Sequence, residues 1–255
     1  MTPLLAVTGL SKRFGGLQAV KDVSFRVEKG TVKALIGPNG AGKTTLFNLV
    51  SGVFPPDAGT VALRGEPIHG RPPHRIAALG LSRTFQQIRL FAQMTALENV
   101  MVGAHPRSRA GFLAGMFHLP WTWGEERDIE RRARAALDLV GVPELADVDA
   151  TSLSYGQQRA VELARGLAAD PELLLLDEPA AGLNMRETAE LAGLIGRIRA
   201  RGVTVLIVEH DMGLVMNVSD EVAVLSYGEK IADATPRAVQ KDREVIRVYL
   251  GDDAC

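Results

Sequence analysis

Apolar positions along this chain change their spacing twice. Over the first 65 residues they come in short runs and alternations. Val20, then Val23, Phe25 and Val27, share one face of a strand over 20–27, which Glu28, Lys29 and Gly30 close. Residues 31–36 predict a short, mostly apolar strand ending at Gly37. A helix follows over 43–51, stopped by Gly52 and then by Pro55 and Pro56. Residues 59–64 read as another strand. From 87 to 167 the spacing turns helical. Thr95 and Glu98 form a capping box that opens one helix. Over 125–140, Ile129, Ala133, Ala136, Leu137 and Val140 make one stripe, with Arg131, Arg132 and Arg134 off it. Ser154 and Gln157 form a second capping box, opening a helix to about residue 169. After Asp170 and Pro171 the strands return, over 173–176, 203–208 and 222–225. Continuous apolar strands alternating with helices indicate a parallel sheet covered on both faces. The chain therefore reads as α/β at both ends with a helical lobe inserted between them. No internal repeat and no low-complexity segment stands out.

Composition narrows the class. Apolar residues make up 46% of the 255 and charged residues 23%, enough for a sizeable core and against disorder. The formal net charge is −1, which argues against a general nucleic-acid binder. The one cysteine, Cys255, leaves no disulfide within the chain and fits a reducing compartment. The start lacks a basic segment of the signal-peptide kind, and no apolar run approaches the ~20 residues of a membrane span. The expectation is a cytoplasmic protein that reaches a membrane only through partners.

Chemistry enters with Gly37, Pro38, Asn39, Gly40, Ala41, Gly42, Lys43 and Thr44. They match the phosphate-binding loop G-x-x-x-x-G-K-[ST], between a strand and a helix as that motif requires. Glycines let successive backbone N–H groups converge on a phosphate, and the helix N-terminus adds its dipole. Lys43 is the cation for the β- and γ-phosphates, and the Thr44 hydroxyl is a Mg²⁺ ligand. Chance alone gives such a match in roughly one chain in 160 of this composition. A second feature follows residues 173–176: Asp177 and Glu178 end an apolar strand, where α/β sheets bind ligands. Asp177 is the candidate to hold Mg²⁺, and Glu178 to take a proton from an attacking water. Strand ends often carry acids, so this pair gains its meaning from the phosphate loop.

Leu153-Ser154-Tyr155-Gly156-Gln157-Gln158 resembles the LSGGQ signature of ABC-type ATPases. The order of elements is similar to that family's over nearly the whole chain. The resemblance implies a P-loop NTPase of ABC type: a RecA-like, mainly parallel α/β core with an antiparallel β subdomain, over 1–86 and 168–255, and a helical signature lobe over 87–167. It implies ATP and Mg²⁺ as ligands. It adds Thr45 to the phosphate loop. It assigns Ser154, Gly156 and Gln157 to the γ-phosphate of ATP held by an opposite subunit. By itself Ser154 is only a helix cap, although capping and anion binding use the same N–H groups. Phe14 takes the place of an aromatic that stacks on adenine, where alone it would read as core. Gln86 resembles the glutamine that contacts Mg²⁺ and couples to the transmembrane partner. His210 resembles the histidine that contacts the γ-phosphate. Tyr155 replaces the usual Gly, and Asn184 replaces an Asp in the loop 181–184, where hydrogen-bonding ability survives the loss of charge.

Residues 80–91, 94–103, 179–184 and 227–251 are most similar to ATP-binding subunits of branched-chain amino-acid importers of the LivG type. Lipopolysaccharide-export ATPases share much of this framework, but usually lack an insert like 104–124. A soluble ABC protein usually carries a coiled coil or two ATPase halves, for which 255 residues leave no room. The resemblance thus implies a second ATPase subunit, LivF-like, two transmembrane permease subunits and an external solute-binding protein. The insert holds both tryptophans, Trp121 and Trp123, with Phe112, Met116 and Phe117. It suits a contact with membrane or permease, or equally packing on the helical lobe.

Overall fold

The computed structural model describes residues 2–84, 88–105 and 122–250. The chain divides into two compact units, residues 1–76 with 175–255, and residues 77–174.

In the first unit, β1 (Leu5–Phe14) and β2 (Leu17–Val27) form a hairpin, followed by β3 (Val32–Ile36), α1 (Lys43–Val50), β4 (Ala58–Leu63) and β5 (Glu66–Pro67). The antiparallel sheet runs β2-β1-β4-β5. Its pairing explains the spacing of Val20 and Val23. Leu10 pairs with Val23 and Lys12 with Val20, so a register shift between them absorbs the extra residue. Asp22 sits in that shift at φ 49 and donates its N–H to Ser11 Oγ at 3.0 Å. Val20, Val23, Phe25 and Val27 are all buried. A further shift between Val7 and Leu10 breaks the alternation of β1, and so the sequence pattern singles out no strand there.

Helix α2 (Pro73–Ala78) leads into the second unit, with β6 (Leu81–Arg83), α3 (Ala96–Ala104), α4 (Thr122–Val140), α5 (Tyr155–Ala168) and the start of β7 (Leu173–Asp177). The division falls inside β7. Helices α3, α4 and α5 pack on one another, and Val100, Ala133, Leu137, Val161 and Ala164 on them are each fully buried. Both expected capping boxes form. Thr95 Oγ1 accepts from Glu98 N–H at 3.2 Å, and Glu98 Oε2 accepts from Thr95 N–H at 2.8 Å.

The chain then returns to the first unit with α6 (Met185–Ala200), β8 (Thr204–Val208), α7 (Met212–Val218), β9 (Glu221–Ser226), β10 (Glu229–Ala234), α8 (Pro236–Val239) and α9 (Arg243–Leu250). The second sheet has the order β10-β9-β3-β8-β7-β6. β3 lies between β8 and β9, parallel to both, and β10 turns back antiparallel on β9. All five residues of β3, β7 and β8 are buried, as strands covered on both faces require. Lys33 is buried within β3, and its ammonium is paired by Asp233 at 2.6 Å and Glu221 at 3.0 Å.

Candidate functional site

The sheet delivers three chain turns at the ends of β3, β7 and β8. After β3 the backbone enters the loop 37–42. A Cβ on Gly37 would lie 2.2 Å from Leu225 O, and one on Gly42 would lie 2.4 Å from Ala19 O, so both positions admit only glycine. Gly42 also caps α1, and no side chain closes that helix end. Asn39 and Gly40 face solvent, and Ala41 is buried. Gly228 N–H donates to Ala41 O at 3.0 Å, tying the β9–β10 turn to the loop.

Lys43 is the first residue of α1 and is buried. Its Nζ donates to Gly37 O at 2.5 Å and to Pro38 O at 3.0 Å, so the ammonium lies within the curl of the loop. Burial lowers its pKa from the ordinary 10.5, while the charges of Glu178 and Asp177 oppose that shift. The two carboxylates at the end of β7 therefore act on the loop's cation directly. Thr44 is exposed and Thr45 half-buried. Tyr249, on α9, also reaches this loop. Burial pushes its phenol up to about 12, opposed by a hydrogen bond to the Gly37 backbone.

Asp177 is buried, and Glu178 is half-buried at φ 47, a left-handed conformation that costs a non-glycine residue about 1 kcal/mol or more. Glu178 N–H donates to Val208 O at 2.9 Å, which locks the turn after β7 onto the end of β8. Glu209 follows β8 and is wholly buried. It accepts from Ala180 N–H at 2.7 Å and from His210 N–H at 2.9 Å. The His210 side chain is 61% exposed, with Nδ1 3.8 Å from Glu209 Oε2. Asp211 caps α7 by accepting from Leu214 N–H at 3.0 Å. Sequence reasoning singles out Glu178 and His210 but passes over Glu209 and Tyr249. A charged residue directly after a mostly apolar strand is the one available signal for Glu209.

Phe14 ends β1 and is 44% exposed, edge-on to Phe54 with centroids 5.5 Å apart. The Lys12 ammonium lies 5.6 Å from its ring centre. Its strand partner Leu17 stands two residues before Ala19, whose carbonyl abuts Gly42. An exposed ring at this hairpin is not the core residue that an isolated aromatic suggests.

Among the described residues, no three His, Cys, Asp or Glu side chains cluster to hold a metal. Thr44 and Asp177 fit a Mg²⁺ that takes its remaining ligands from phosphate and water, as this ion does beside nucleotides.

In the second unit, Ser154 caps α5. Its Oγ accepts from Gln157 N–H at 3.4 Å, and Gln157 Oε1 accepts from Ser154 N–H at 2.9 Å. Ser154, Tyr155 and Gly156 are exposed. The Tyr155 ring stands under the Arg159 guanidinium at 5.6 Å. Asn184 keeps a capping role in the first unit. Its Oδ1 accepts from Arg186 and Glu187 N–H, each at 3.0 Å, bonds that Asp or Asn makes equally well. Gln86 and residues 106–121 of the insert lie outside the described residues.

The sequence profile of the ABC transporter family matches residues 20–181, and a profile described as branched-chain amino acid ATP-binding cassette transporter matches residues 229–255. The chain is 47% identical over 251 residues to the high-affinity branched-chain amino acid transport ATP-binding protein BraF of Pseudomonas aeruginosa, covering 98% of each. It is 44% identical over 251 residues to LivG of Escherichia coli K12, again covering 98% of each. Among solved structures, an ATP-binding cassette of an ABC transporter in its ADP conformation matches with TM-score 0.85 and 32% identity. That match covers 99% of this chain and 100% of the other. A nucleotide-free cassette matches with TM-score 0.84 and 32% identity, covering 98% and 100%.

Proposed function

The chain belongs to the ABC transporter ATP-binding family, and from that premise we propose that it is the ATP-hydrolysing subunit of a branched-chain amino-acid importer. One observation carries the choice of importer: similarity to BraF and LivG runs the full length and includes the segment 229–255. Neither a lipopolysaccharide exporter nor a soluble ABC protein has comparable support. Among the described residues no helix is long and apolar enough to cross a membrane. We therefore assign the membrane passage to two permease subunits, with this chain on their cytoplasmic side. A LivF-like ATPase is the natural facing subunit, and a solute-binding protein acts outside. No nucleic acid takes part.

In this reading the core 1–86 with 168–255 binds ATP, and the lobe 87–167 presents the signature to the opposite subunit. Phe14 stacks on adenine. The N–H groups of residues 37–45 and the Lys43 ammonium hold the phosphates. Thr44, Asp177 and Gln86 hold Mg²⁺, which supplies neutralisation of phosphate charge when bound. Glu178 takes the proton of the water that attacks the γ-phosphorus in line, and His210 steadies the γ-phosphate. Ser154, Gly156 and Gln157 complete the site of the facing subunit. Closure around two ATP molecules and reopening after hydrolysis then drive the permeases. The test is the ATP turnover of this chain alone against that of the chain assembled with a LivF-like subunit and permeases. We expect a slow, mostly monomeric chain alone and a much faster complex. Equal turnover in both would overturn the facing-subunit reading.

A further inference from the structure

We propose that Glu209 is a positioning residue for hydrolysis, its carboxylate clamping the turn that bears Glu178 to the turn that bears His210. The inference rests on the roles given above to those two residues. Glu209 has no solvent exposure. A carboxylate in such a place must be paired, and here its partners are main-chain donors. Oε1 accepts from Ala180 N–H at 2.7 Å. Oε2 accepts from His210 N–H at 2.9 Å and from Asp211 N–H at 3.3 Å. The two oxygens thus face two different turns, and the width of one carboxyl group sets the spacing between them.

The neighbouring backbone agrees. Glu178 N–H bonds Val208 O at 2.9 Å, and Glu209 N–H bonds Leu35 O at 3.4 Å, just ahead of the phosphate loop. Glu209 therefore stands where the ends of β3, β7 and β8 meet. Ala180 also opens the loop 181–184, so displacement of that loop pulls on the same carboxylate. A serine or threonine hydroxyl at this position is too short to reach the turn after β7 while holding its own. Glutamine has the length but only one acceptor oxygen, so one of the two turns must face an N–H₂ donor. A misplacement of about 1 Å costs a reaction of this kind on the order of 10²-fold.

The experiment compares the full chain with Glu209→Gln and Glu209→Asp, measuring MgATP turnover and amide hydrogen exchange. We expect kcat to fall about tenfold or more in both variants, with KM for MgATP within about threefold. Exchange should accelerate over 178–184 and over 209–212, and stay unchanged in α1. In a Glu178→Gln background, adding Glu209→Gln should cost little more, because both act on one step. An unchanged kcat, a KM that rises as kcat falls, or multiplicative losses in the double variant would overturn the proposal. So would exchange that is unchanged over 178–184. If Glu209→Gln does not fold, Glu209→Asp decides alone, since it keeps the charge and loses only reach. A parent chain that shows no ATP turnover even when assembled with the facing subunit and the permeases sinks the ATPase reading instead, and the exchange pattern then decides the clamp by itself.

Discussion

Replacing Lys43 by Met removes a charge while nearly conserving volume, and its effects on binding and on stability should separate. In the folded chain the ammonium is buried against Gly37 O and Pro38 O. Pro38 O also accepts from Ala41 N–H at 3.1 Å and stays satisfied without the lysine. Gly37 O loses its lysine donor, a cost of about 1 kcal/mol, while the burial of an ammonium is relieved. The net change in the stability of the free chain should stay within about 1 kcal/mol. Binding has no such offset. A charge-assisted bond to phosphate contributes about 1.5–3 kcal/mol, so the Kd for MgATP should rise about 10- to 150-fold. At a nucleotide concentration of about 100 times the parent Kd, the parent gains about 2.7 kcal/mol. A variant with a Kd raised about thirtyfold gains about 0.9 kcal/mol. For a chain of this size, the ATP-induced rise in melting temperature should shrink from about 5–10 °C to about 2–4 °C. Titration calorimetry gives the Kd and a melting series gives the rest. The alkaline limb carries a second signature of the same group. Because burial lowers the Lys43 pKa below 10.5, the folded chain releases this proton before the unfolded chain does. Stability should therefore rise with pH just below 10.5 through this group, and Lys43→Met should lose that rise. An unchanged Kd would refute the loop assignment. A free variant that melts far below the parent would refute the separation.

Three further outcomes are expected. Glu178→Gln should bind MgATP normally and lose about 10²–10⁴-fold in turnover, since an amide cannot take the water's proton; near-normal hydrolysis would move the base elsewhere. Ser154→Arg sets bulk and positive charge at the start of α5, so it should cut turnover of the assembled importer while the lone variant keeps its ATP affinity. Loss of both would mean a misfolded lobe, and loss of neither would remove Ser154 from the facing site. Tyr249 is neutral when protonated and its folded pKa lies near 12, so its contribution to stability is present below the ordinary value of 10.0 and lost as pH rises toward 12. Tyr249→Phe should abolish a late tyrosinate step near pH 12 in ultraviolet titration and flatten that loss; a persisting late step would exclude Tyr249 as its source.

Where the determinants are local, the sequence is enough. The loop 37–44 announces itself because its glycines and one lysine, all within eight residues, match the phosphate-binding pattern. The helix starts at Thr95 and Ser154 follow from caps that close over three residues, and the reciprocal bonds form as expected. The buried strands β3, β7 and β8 show as short, mostly apolar runs because both their faces are covered. The same logic fails where the cause is distant. β1 escapes notice because its register shift destroys the period on which strand reading depends. The spacing of Val20 and Val23 has its explanation on the partner strand, in Leu10 and Lys12. Lys33 in an apolar strand makes sense only beside Asp233 and Glu221. The order β10-β9-β3-β8-β7-β6 is likewise a matter of pairing between distant segments. Glu209 is the sharpest case. In sequence it is one acid beside a histidine. In the fold it receives the N–H of Ala180, 29 residues earlier in the chain. Side-chain type and spacing record the bonds a residue can make with near neighbours. Which distant donor meets a buried carboxylate depends on where the sheet sets the strand ends, and that is a property of the packed structure.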